Sequence, residues 1–332
     1  MSKNYYIIPL FIPHEGCPHD CVFCNQDRIS GATEKVTAKN VYETVDEYLK
    51  TIDYKNATVE ISFFGGTFTA IKEERQRELL SVAKEYKEKG LIDKIRMSTR
   101  PDYINDYILT YLKEYKVDII ELGVQSLDNK VLHAAGRGHT AEEVEEASKL
   151  IKKYGITLGH QIMPGLPRDN FERDIETVKK SISMNPDICR IYPSLVIKDT
   201  PMETMYNNGI YKPYTLEEAV EITKEMYKLY TEAGVQVIRV GLQPTDTIAE
   251  GKDVIAGPFH PAFRELVEGS LLADKIRDAL KDKKIGTIRI NSKDLSKLYA
   301  NKKTYFKKLL EEGYVLNVEI AEDVNRGDIV IL

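Results

Sequence analysis

The 332-residue sequence lacks several features that would assign a protein to a class at once. It has no tryptophan, no low-complexity segment and no run of 18 apolar residues, so we do not expect a membrane-spanning helix. A secretory leader has a long apolar run that ends in small residues. The first residues, MSKNYYIIPLFIPHEG, contain no such run. We therefore expect a cytoplasmic protein.

An excess of one charge is also missing from the chain as a whole. The net charge is −5, from 47 basic and 52 acidic residues, which excludes a polycation. The charge is unevenly distributed, however, because residues 275–308 hold 12 Lys and Arg against 3 Asp. This segment, the basic block, predicts either a contact with a polyanion such as RNA or an ordinary solvated face.

Short apolar runs alternate with amphipathic helical patterns along most of the chain. The predicted strands are Tyr5–Ile12, Val59–Phe64, Lys94–Thr99, Asp118–Val124, Thr157–Met163, Ile188–Leu195 and Val237–Val240. The predicted helices are Ala38–Thr51, Lys72–Lys89, Tyr103–Tyr115, Ala141–Tyr154, Asn170–Met184 and Leu216–Ala233, the last with Thr215 as N-cap and Glu218 three residues later. This alternation predicts an α/β fold with a parallel sheet, either an open barrel or a doubly wound sheet.

Unusual residues follow five of the predicted strands. They are Cys17–Cys24, Gly65–Thr67, Ser98–Asp102, Gln125–Ser126 and Pro164–Pro167, in chain order. Because ligands of such folds bind at the carboxyl ends of the parallel strands, the pattern predicts one site built from these loops.

The pattern changes after residue 245. A turn-rich segment, Gly257–Pro261, precedes a predicted strand Thr287–Asn291, a helix Ser292–Glu312 and strands Val315–Ile320 and Asp328–Leu332. We predict a core barrel over 1–245, a connecting segment over 246–285 that closes the barrel, and a small α+β appendage over 286–332. His260 and Arg264 of the connecting segment either line the barrel mouth or lie on the surface.

Three of the four cysteines, Cys17, Cys21 and Cys24, form a C-x3-C-x2-C cluster. Thiolates are soft ligands for zinc or iron–sulfur clusters, and three thiolates leave one iron of a 4Fe–4S cluster open to a further ligand. The alternatives are a structural zinc with His14 or His19 as fourth ligand, or an inert buried cluster. The fourth cysteine, Cys189, is predicted to pack inside a strand.

The cysteine spacing, with Phe23 before the last cysteine, resembles the radical S-adenosylmethionine (SAM) superfamily. The resemblance implies a partial (β/α)6 barrel and a 4Fe–4S cluster held by Cys17, Cys21 and Cys24. It further implies that the open iron chelates SAM, and that one electron from a reductant such as flavodoxin or ferredoxin cleaves SAM to a 5′-deoxyadenosyl radical. Such a cluster is oxygen-sensitive.

Further segments extend this resemblance toward SAM contacts. Gly65, Gly66 and Thr67 are similar to the family's Gly-Gly motif on the SAM methionine moiety, with Thr67 where many members have Glu. The resemblance carries SAM contacts to Gln125 and Arg137. Ser98 and Gln161 stand where relatives place acidic residues near the adenosine ribose, so we include both as candidate SAM contacts.

The branch within the family bears on the substrate. Residues 190–201 and 208–212 resemble the elongator catalytic subunit, and the Gly-Gly-Thr form also occurs in oxygen-independent coproporphyrinogen oxidases. The resemblance covers roughly residues 5–245 and leaves no length for the acetyltransferase domain of the elongator subunit. It implies an RNA substrate such as tRNA. The alternatives are a small-molecule or protein substrate, a non-catalytic haem-binding relative, or a zinc-stabilised RNA-binding module.

Overall fold

The structure, a computed structural model, describes residues 5–12, 15–26, 28, 35–245, 248–249, 251–281 and 283–332. A seven-stranded sheet dominates it, with every neighbouring pair of strands parallel. Its strands are, in spatial order, β1 (Tyr5–Ile12), β2 (Thr58–Gly65), β3 (Lys94–Thr99), β4 (Ile119–Gln125), β5 (Thr157–Ile162), β6 (Ile188–Ile191) and β8 (Gln236–Val240). The predicted α/β fold is confirmed, and all seven predicted strands are present.

Contacts across the concave face show that the sheet curls into a partial barrel. The guanidinium carbon of Arg190 on β6 lies 5.3 Å from the ring centre of Phe64 on β2, although three strands separate β2 from β6. In a flat sheet, four strand spacings would hold these strands about 19 Å apart. The contact therefore spans the interior, and the barrel rather than the doubly wound sheet is confirmed.

The helices between the strands begin at residues whose side chains cap them, except the second, whose N-cap Lys72 makes no cap bond. They are α1 (Ala38–Leu49), α2 (Glu73–Glu88), α3 (Asp106–Glu114), α4 (Asn129–Ala134), α5 (Ala141–Lys153), α6 (Phe171–Ser183), α7 (Pro201–Asn207) and α8 (Leu216–Glu232). The predicted cap of α8 is confirmed, because the Thr215 hydroxyl accepts from the backbone N–H of Glu218 and the Glu218 carboxylate accepts from the backbone N–H of Thr215.

The sixth strand is shorter than predicted. It ends at Ile191 rather than at Leu195, and Pro193 lies in the part that is not a strand, where a proline has no N–H to donate to a ladder. The chain then forms a separate two-stranded antiparallel sheet from β7 (Val196–Ile197) and β9 (Val254–Ala256).

The C-terminal residues build a second, smaller sheet. Helix α9 (Phe263–Leu280) leads to β10 (Ile285–Ile290), which pairs in parallel with β11 (Val315–Ile320) and antiparallel with β12 (Ile329–Ile331). The first half of α9 packs in the main core, whereas Leu272, Ile276 and Leu280 belong to the core of the small sheet. Because α9 contributes to both cores, the division of the chain at 245 and 285 stays a prediction.

The predicted helix Ser292–Glu312 is interrupted. It consists of a 3-10 turn (Ser292–Asp294), a short α10 (Leu295–Leu298) and α11 (Ala300–Glu311), in which Asn301, Lys302 and Lys303 have left-handed backbone angles. Left-handed residues cannot continue a right-handed helix, so the chain changes direction here. None of the helices in the described part of the chain is long and apolar enough to cross a membrane.

Candidate functional site

The cysteine loop, residues 15–26, lies at the carboxyl end of the sheet and is held first by the turn after β2. The backbone N–H of Gly66 donates to the carbonyl of Ile12 at 2.7 Å, and the N–H of Thr67 donates to the carbonyl of Glu15 at 3.2 Å. The Thr67 hydroxyl lies 3.5 Å from Cys17 Sγ. The first cysteine is therefore positioned by the predicted Gly-Gly-Thr turn, 50 residues away in the sequence.

Close backbone approach explains the glycine at position 66. A Cβ at Gly66 would lie 2.2 Å from the carbonyl oxygen of Glu15, far inside van der Waals contact. Any side chain here would force the cysteine loop away from β2. The loop can therefore dock against β2 only because position 66 is a glycine.

A second turn, after α4, holds the other side of the cysteine loop. The N–H of Val22 donates to the carbonyl of Ala135 at 3.1 Å, and Nη1 of Arg137 donates to Cys21 Sγ at 3.2 Å. At Gly138, φ is +72°, and a Cβ there would lie 2.4 Å from Nε2 of His19. The two sequence motifs singled out beside the cysteines thus contact the cysteine loop from opposite sides.

Arg137 connects the cysteine loop to β4. Its Nη2 donates to the carbonyl of Gly123 at 2.6 Å, and its Nε is buried without a partner. Two residues after Gly123, Gln125 adopts a left-handed conformation with φ +67°, which costs a non-glycine residue on the order of 1–3 kcal/mol and is typical of functional sites. Nε2 of Gln161 lies 3.5 Å from Oε1 of Gln125. The structure thus brings Gln125, Arg137 and Gln161 to the same edge of the sheet.

Ser98 lies within β3 rather than after it, paired in register with Glu121 of β4. It is half-buried. Its pairing with Glu121 places it on the concave face, below the level of Gln125. Of the remaining predicted SAM residues, Gly65 ends β2, and Gly66 and Thr67 lie in the turn that follows it.

The electrostatics of the cysteines reflect their proximity. Burial raises the pKa of the Cys24 thiol to about 12, and the nearby Cys21 and Cys17 raise it further in the same direction. Among the residues that the structure describes, no three His, Cys, Asp or Glu side chains converge tightly enough to hold a single metal ion. His14 of the zinc alternative lies outside the described residues, and the His19 ring packs against Gly138.

The donor set nevertheless fits a 4Fe–4S cluster, in which each thiolate binds a different iron at a separate corner. Three soft thiols share one loop. A buried guanidinium with an unpartnered Nε stands beside them. The glycine turns let the backbone come close on both sides. The residues present therefore suit this cluster as the resident cofactor.

The sequence analysis did not single out a network of four charged residues on the concave face. Arg96 of β3 contacts Glu60 of β2 at 2.6 Å and Glu121 of β4 at 2.8 Å, and Arg190 of β6 contacts Glu121 at 2.9 Å. All four residues are almost fully buried, and their charges balance. The available signal was a single charged residue in the middle of each apolar strand, which is costly unless paired.

Three residues outside the main motifs can be assigned from their contacts. Cys189 is fully buried on β6 in the main core, as predicted. Arg264 pairs with Glu268 at 2.9 Å and reaches the carbonyls at the edge strand β8. His260 lines a small cavity with Leu195 and other residues that follow β6 and β8.

The basic block is less exposed as charge than its composition predicts. Four of its residues are paired with acids that lie outside the block in the sequence, Lys275 with Asp328, Arg277 with Glu312, Arg289 with Asp323 and Lys297 with Glu268. Seven exposed lysines of the block show no ion pair among the described residues, namely Lys281, Lys283, Lys284, Lys302, Lys303, Lys307 and Lys308, and the last four lie together on α11. We call these four the α11 lysines.

Comparisons with known proteins agree with this geometry. Residues 11–180 match the sequence profile described as the radical SAM superfamily, and residues 186–272 match the radical SAM C-terminal domain. The tRNA uridine(34) acetyltransferase of Methanocaldococcus infernus is 29% identical over 245 residues, 62% of this chain and 46% of that protein. The human Elongator complex protein 3 is 28% identical over 294 residues, 82% of this chain and 51% of that protein.

A solved structure shows the same fold. The archaeal Methanocaldococcus infernus Elp3 lacking residues 1–46 superimposes with a TM-score of 0.65 at 23% identity, over 83% of this chain and 65% of that chain. The chain spans about half the length of the curated relatives it matches.

Proposed function

We propose that this chain, which belongs to the radical SAM superfamily, is an enzyme that cleaves SAM reductively and directs the radical to an RNA such as tRNA. The observation that carries the proposal is that two separate turns contact the cysteine loop. Thr67 contacts Cys17 from the turn after β2, and Arg137 contacts Cys21 from the turn after α4. Both contacts lie at the carboxyl edge of the parallel strands, where barrel enzymes carry their sites.

The proposed roles of the residues follow from where they lie. As a radical SAM enzyme, the protein takes a 4Fe–4S cluster and SAM as cofactors, and we assign the three iron ligands to Cys17, Cys21 and Cys24. When bound and reduced, the cluster supplies the electron that splits SAM into methionine and a 5′-deoxyadenosyl radical. The cysteine loop, docked by backbone bonds on both sides, keeps the three thiols together before the cluster binds.

SAM contacts follow from the same edge. We assign the methionine end of SAM to Gly65, Gly66 and Thr67. The N–H groups of Gly66 and Thr67 already donate to Ile12 and Glu15, so these residues would offer their carbonyl groups, which no side chain at the two glycines shields. Gln125, Arg137 and Gln161 offer amide and guanidinium donors on the next strands, and Ser98 offers a hydroxyl on the concave face.

The RNA substrate rests on two independent observations. The curated relatives include proteins named for a tRNA uridine. In addition, the α11 lysines are exposed and have no ion pair among the described residues, so they are available to phosphates. An electron donor such as flavodoxin or ferredoxin completes the set of proposed partners.

The test is release of 5′-deoxyadenosine by anaerobically reconstituted, reduced protein, with and without small RNA. We expect RNA to stimulate release and ribonuclease to remove the stimulation. Release that RNA leaves unchanged would retain the SAM chemistry but refute the RNA substrate. A loaded protein that releases no 5′-deoxyadenosine would refute the enzyme assignment.

A further inference from the structure

We infer that Arg137 raises the reduction potential of the iron–sulfur cluster by donating to the sulfur of Cys21. The inference rests on the proposed function, because it takes Cys21 as a cluster ligand. It assigns to Arg137 a role toward the cluster that is separate from the SAM contact proposed above. Because Arg137 acts on the cluster through Cys21, it is a positioning residue rather than a catalytic one.

The charge of Arg137 has no acidic partner in the described part of the chain. The residue is 6% exposed, and no described carboxylate lies within ion-pair distance of its guanidinium. Nη1 lies 3.2 Å from Cys21 Sγ, Nη2 lies 2.6 Å from the carbonyl oxygen of Gly123, and Nε has no partner. A buried cation is costly unless an anion compensates it. Among the groups that contact this guanidinium, Cys21 Sγ is the one that belongs to a proposed cluster ligand.

A second arginine holds Arg137 in place. Nη2 of Arg100 donates to the backbone carbonyl of Arg137 at 2.5 Å, and Arg100 itself forms a two-pronged pair with Asp102 at 2.9 Å for each bond. The charge of Arg100 is therefore balanced, whereas the charge of Arg137 is not. The neighbouring His139 is buried and its Nε2 lies 3.3 Å from the carbonyl oxygen of Val124, and burial keeps its ring neutral.

The sign of the effect follows from the charge of the cluster. Three thiolates on a 4Fe–4S core of charge +2 make a net charge of −1, and uptake of one electron makes it −2. A fixed positive charge stabilises the more negative, reduced state, and hydrogen bonds to the sulfurs act in the same direction. Burial strengthens the interaction because the local dielectric constant is low. The contact thus makes the cluster easier to reduce.

The experiment is a potentiometric titration of the full-length, reconstituted protein without SAM, followed by electron paramagnetic resonance of the reduced cluster. In Arg137→Gln we expect the ratio of reduced to oxidised cluster at a fixed potential to fall at least tenfold. For a one-electron couple this corresponds to about 59 mV. Arg264→Gln is the matched control, since Arg264 is paired with Glu268 and lies at β8; its potential should equal that of the wild type.

A variant of opposite sign separates electrostatics from structural damage. Asp102→Asn removes the carboxylate that balances Arg100 and leaves Arg137 in place, so the potential should rise. If Arg137→Gln does not load four irons, Arg137→Lys is titrated in its place. A lysine keeps the positive charge but cannot keep both the Cys21 and the Gly123 contacts, so its potential should fall below that of the wild type by less than the fall expected for Arg137→Gln.

The outcomes distinguish the two proposals. A wild-type protein that assembles no cluster would refute the proposed function itself. A fully loaded Arg137→Gln or Arg137→Lys protein with the wild-type potential would overturn only the inference. So would an Asp102→Asn protein whose potential falls or stays the same.

Discussion

The substitution Gly66→Ala probes the docking of the cysteine loop more directly than any other single change. The new methyl group would lie 2.2 Å from the carbonyl oxygen of Glu15 and 3.1 Å from its carbonyl carbon and nitrogen. Ordinary carbon–oxygen contacts are about 3.3 Å, so the backbone at Glu15 must move by about 1 Å. Gly66 has no positive φ, so the cost comes from this contact and not from backbone strain.

The displacement should reach the site because Glu15 is only two residues from Cys17. Overpacking of this kind costs about 1–3 kcal/mol in the free energy of unfolding. A misplacement of about 1 Å can lower a rate on the order of 10²-fold. We therefore expect Gly66→Ala to fold, to bind fewer than half of the irons after anaerobic reconstitution, and to release 5′-deoxyadenosine about 10²-fold more slowly.

Gly90→Ala is the matched control. Gly90 follows helix α2 with φ +69°, and a Cβ there would meet no atom within 4 Å. The left-handed conformation should cost an alanine about 1–2 kcal/mol, similar to the cost at Gly66, but iron content and rate should be unchanged. If Gly66→Ala protein has the wild-type iron content and the wild-type rate of 5′-deoxyadenosine release, the docking argument is refuted.

Separate tests address the thiols, the α11 lysines and the carboxyl group of Asp169. Cys21→Ala should remove the brown colour and the iron of anaerobically purified protein, whereas Cys189→Ala, in the core, should retain both; a brown Cys21→Ala protein would contradict the ligand assignment. Replacing the four α11 lysines by Gln should weaken RNA binding and reduce the slope of log affinity against log salt by about 0.7–0.9 for each phosphate that is no longer neutralised. Arg289→Gln, whose charge is already paired, should leave that slope unchanged, and an equal reduction in both variants would argue against a specific lysine surface. Finally, burial raises the pKa of Asp169 to about 6 and that of the neighbouring Asp174 well above its usual range. Because the unfolded chain releases these protons near pH 4 while the folded chain retains them, the free energy of unfolding should fall as the pH rises from about 4 to about 6. In Asp169→Asn, urea denaturation should show a smaller fall across that range, and an identical fall would refute the assignment.

The main elements were predictable from the sequence because their signals are local. Buried parallel strands read as short apolar runs, and all seven were found within a few residues of their observed ends. The cap at Thr215 depends on residues three apart and was equally readable. Two predictions from the apolar pattern were wrong. The sixth strand was extended past Ile191, and the helix after Ser292 was predicted as continuous, because in both places the backbone changes direction within an apolar segment.

The candidate site was only partly predictable for the same reason. The cysteine spacing and the Gly-Gly-Thr turn are contiguous motifs, so their chemistry could be inferred from neighbours in the chain. The contact of Arg137 with Cys21 joins residues 116 positions apart, and no local pattern indicates which arginine will reach which thiol. Similarly, the acids that neutralise part of the basic block lie far along the chain from their partners, as with Arg289 and Asp323.

The sequence by itself determined the fold class, the family and the three thiols, because each depends on residue type and spacing over a few residues. Only the tertiary structure decided which charges remain free. The network of Glu60, Arg96, Glu121 and Arg190 is neutral because the curled sheet brings opposite charges within 3 Å of each other. The charge of Arg137 has no described acidic partner, because the fold buries this residue beside a sulfur and forms no ion pair with it among the described residues. Strand order and curvature select these partners, and both arise from packing of the whole chain.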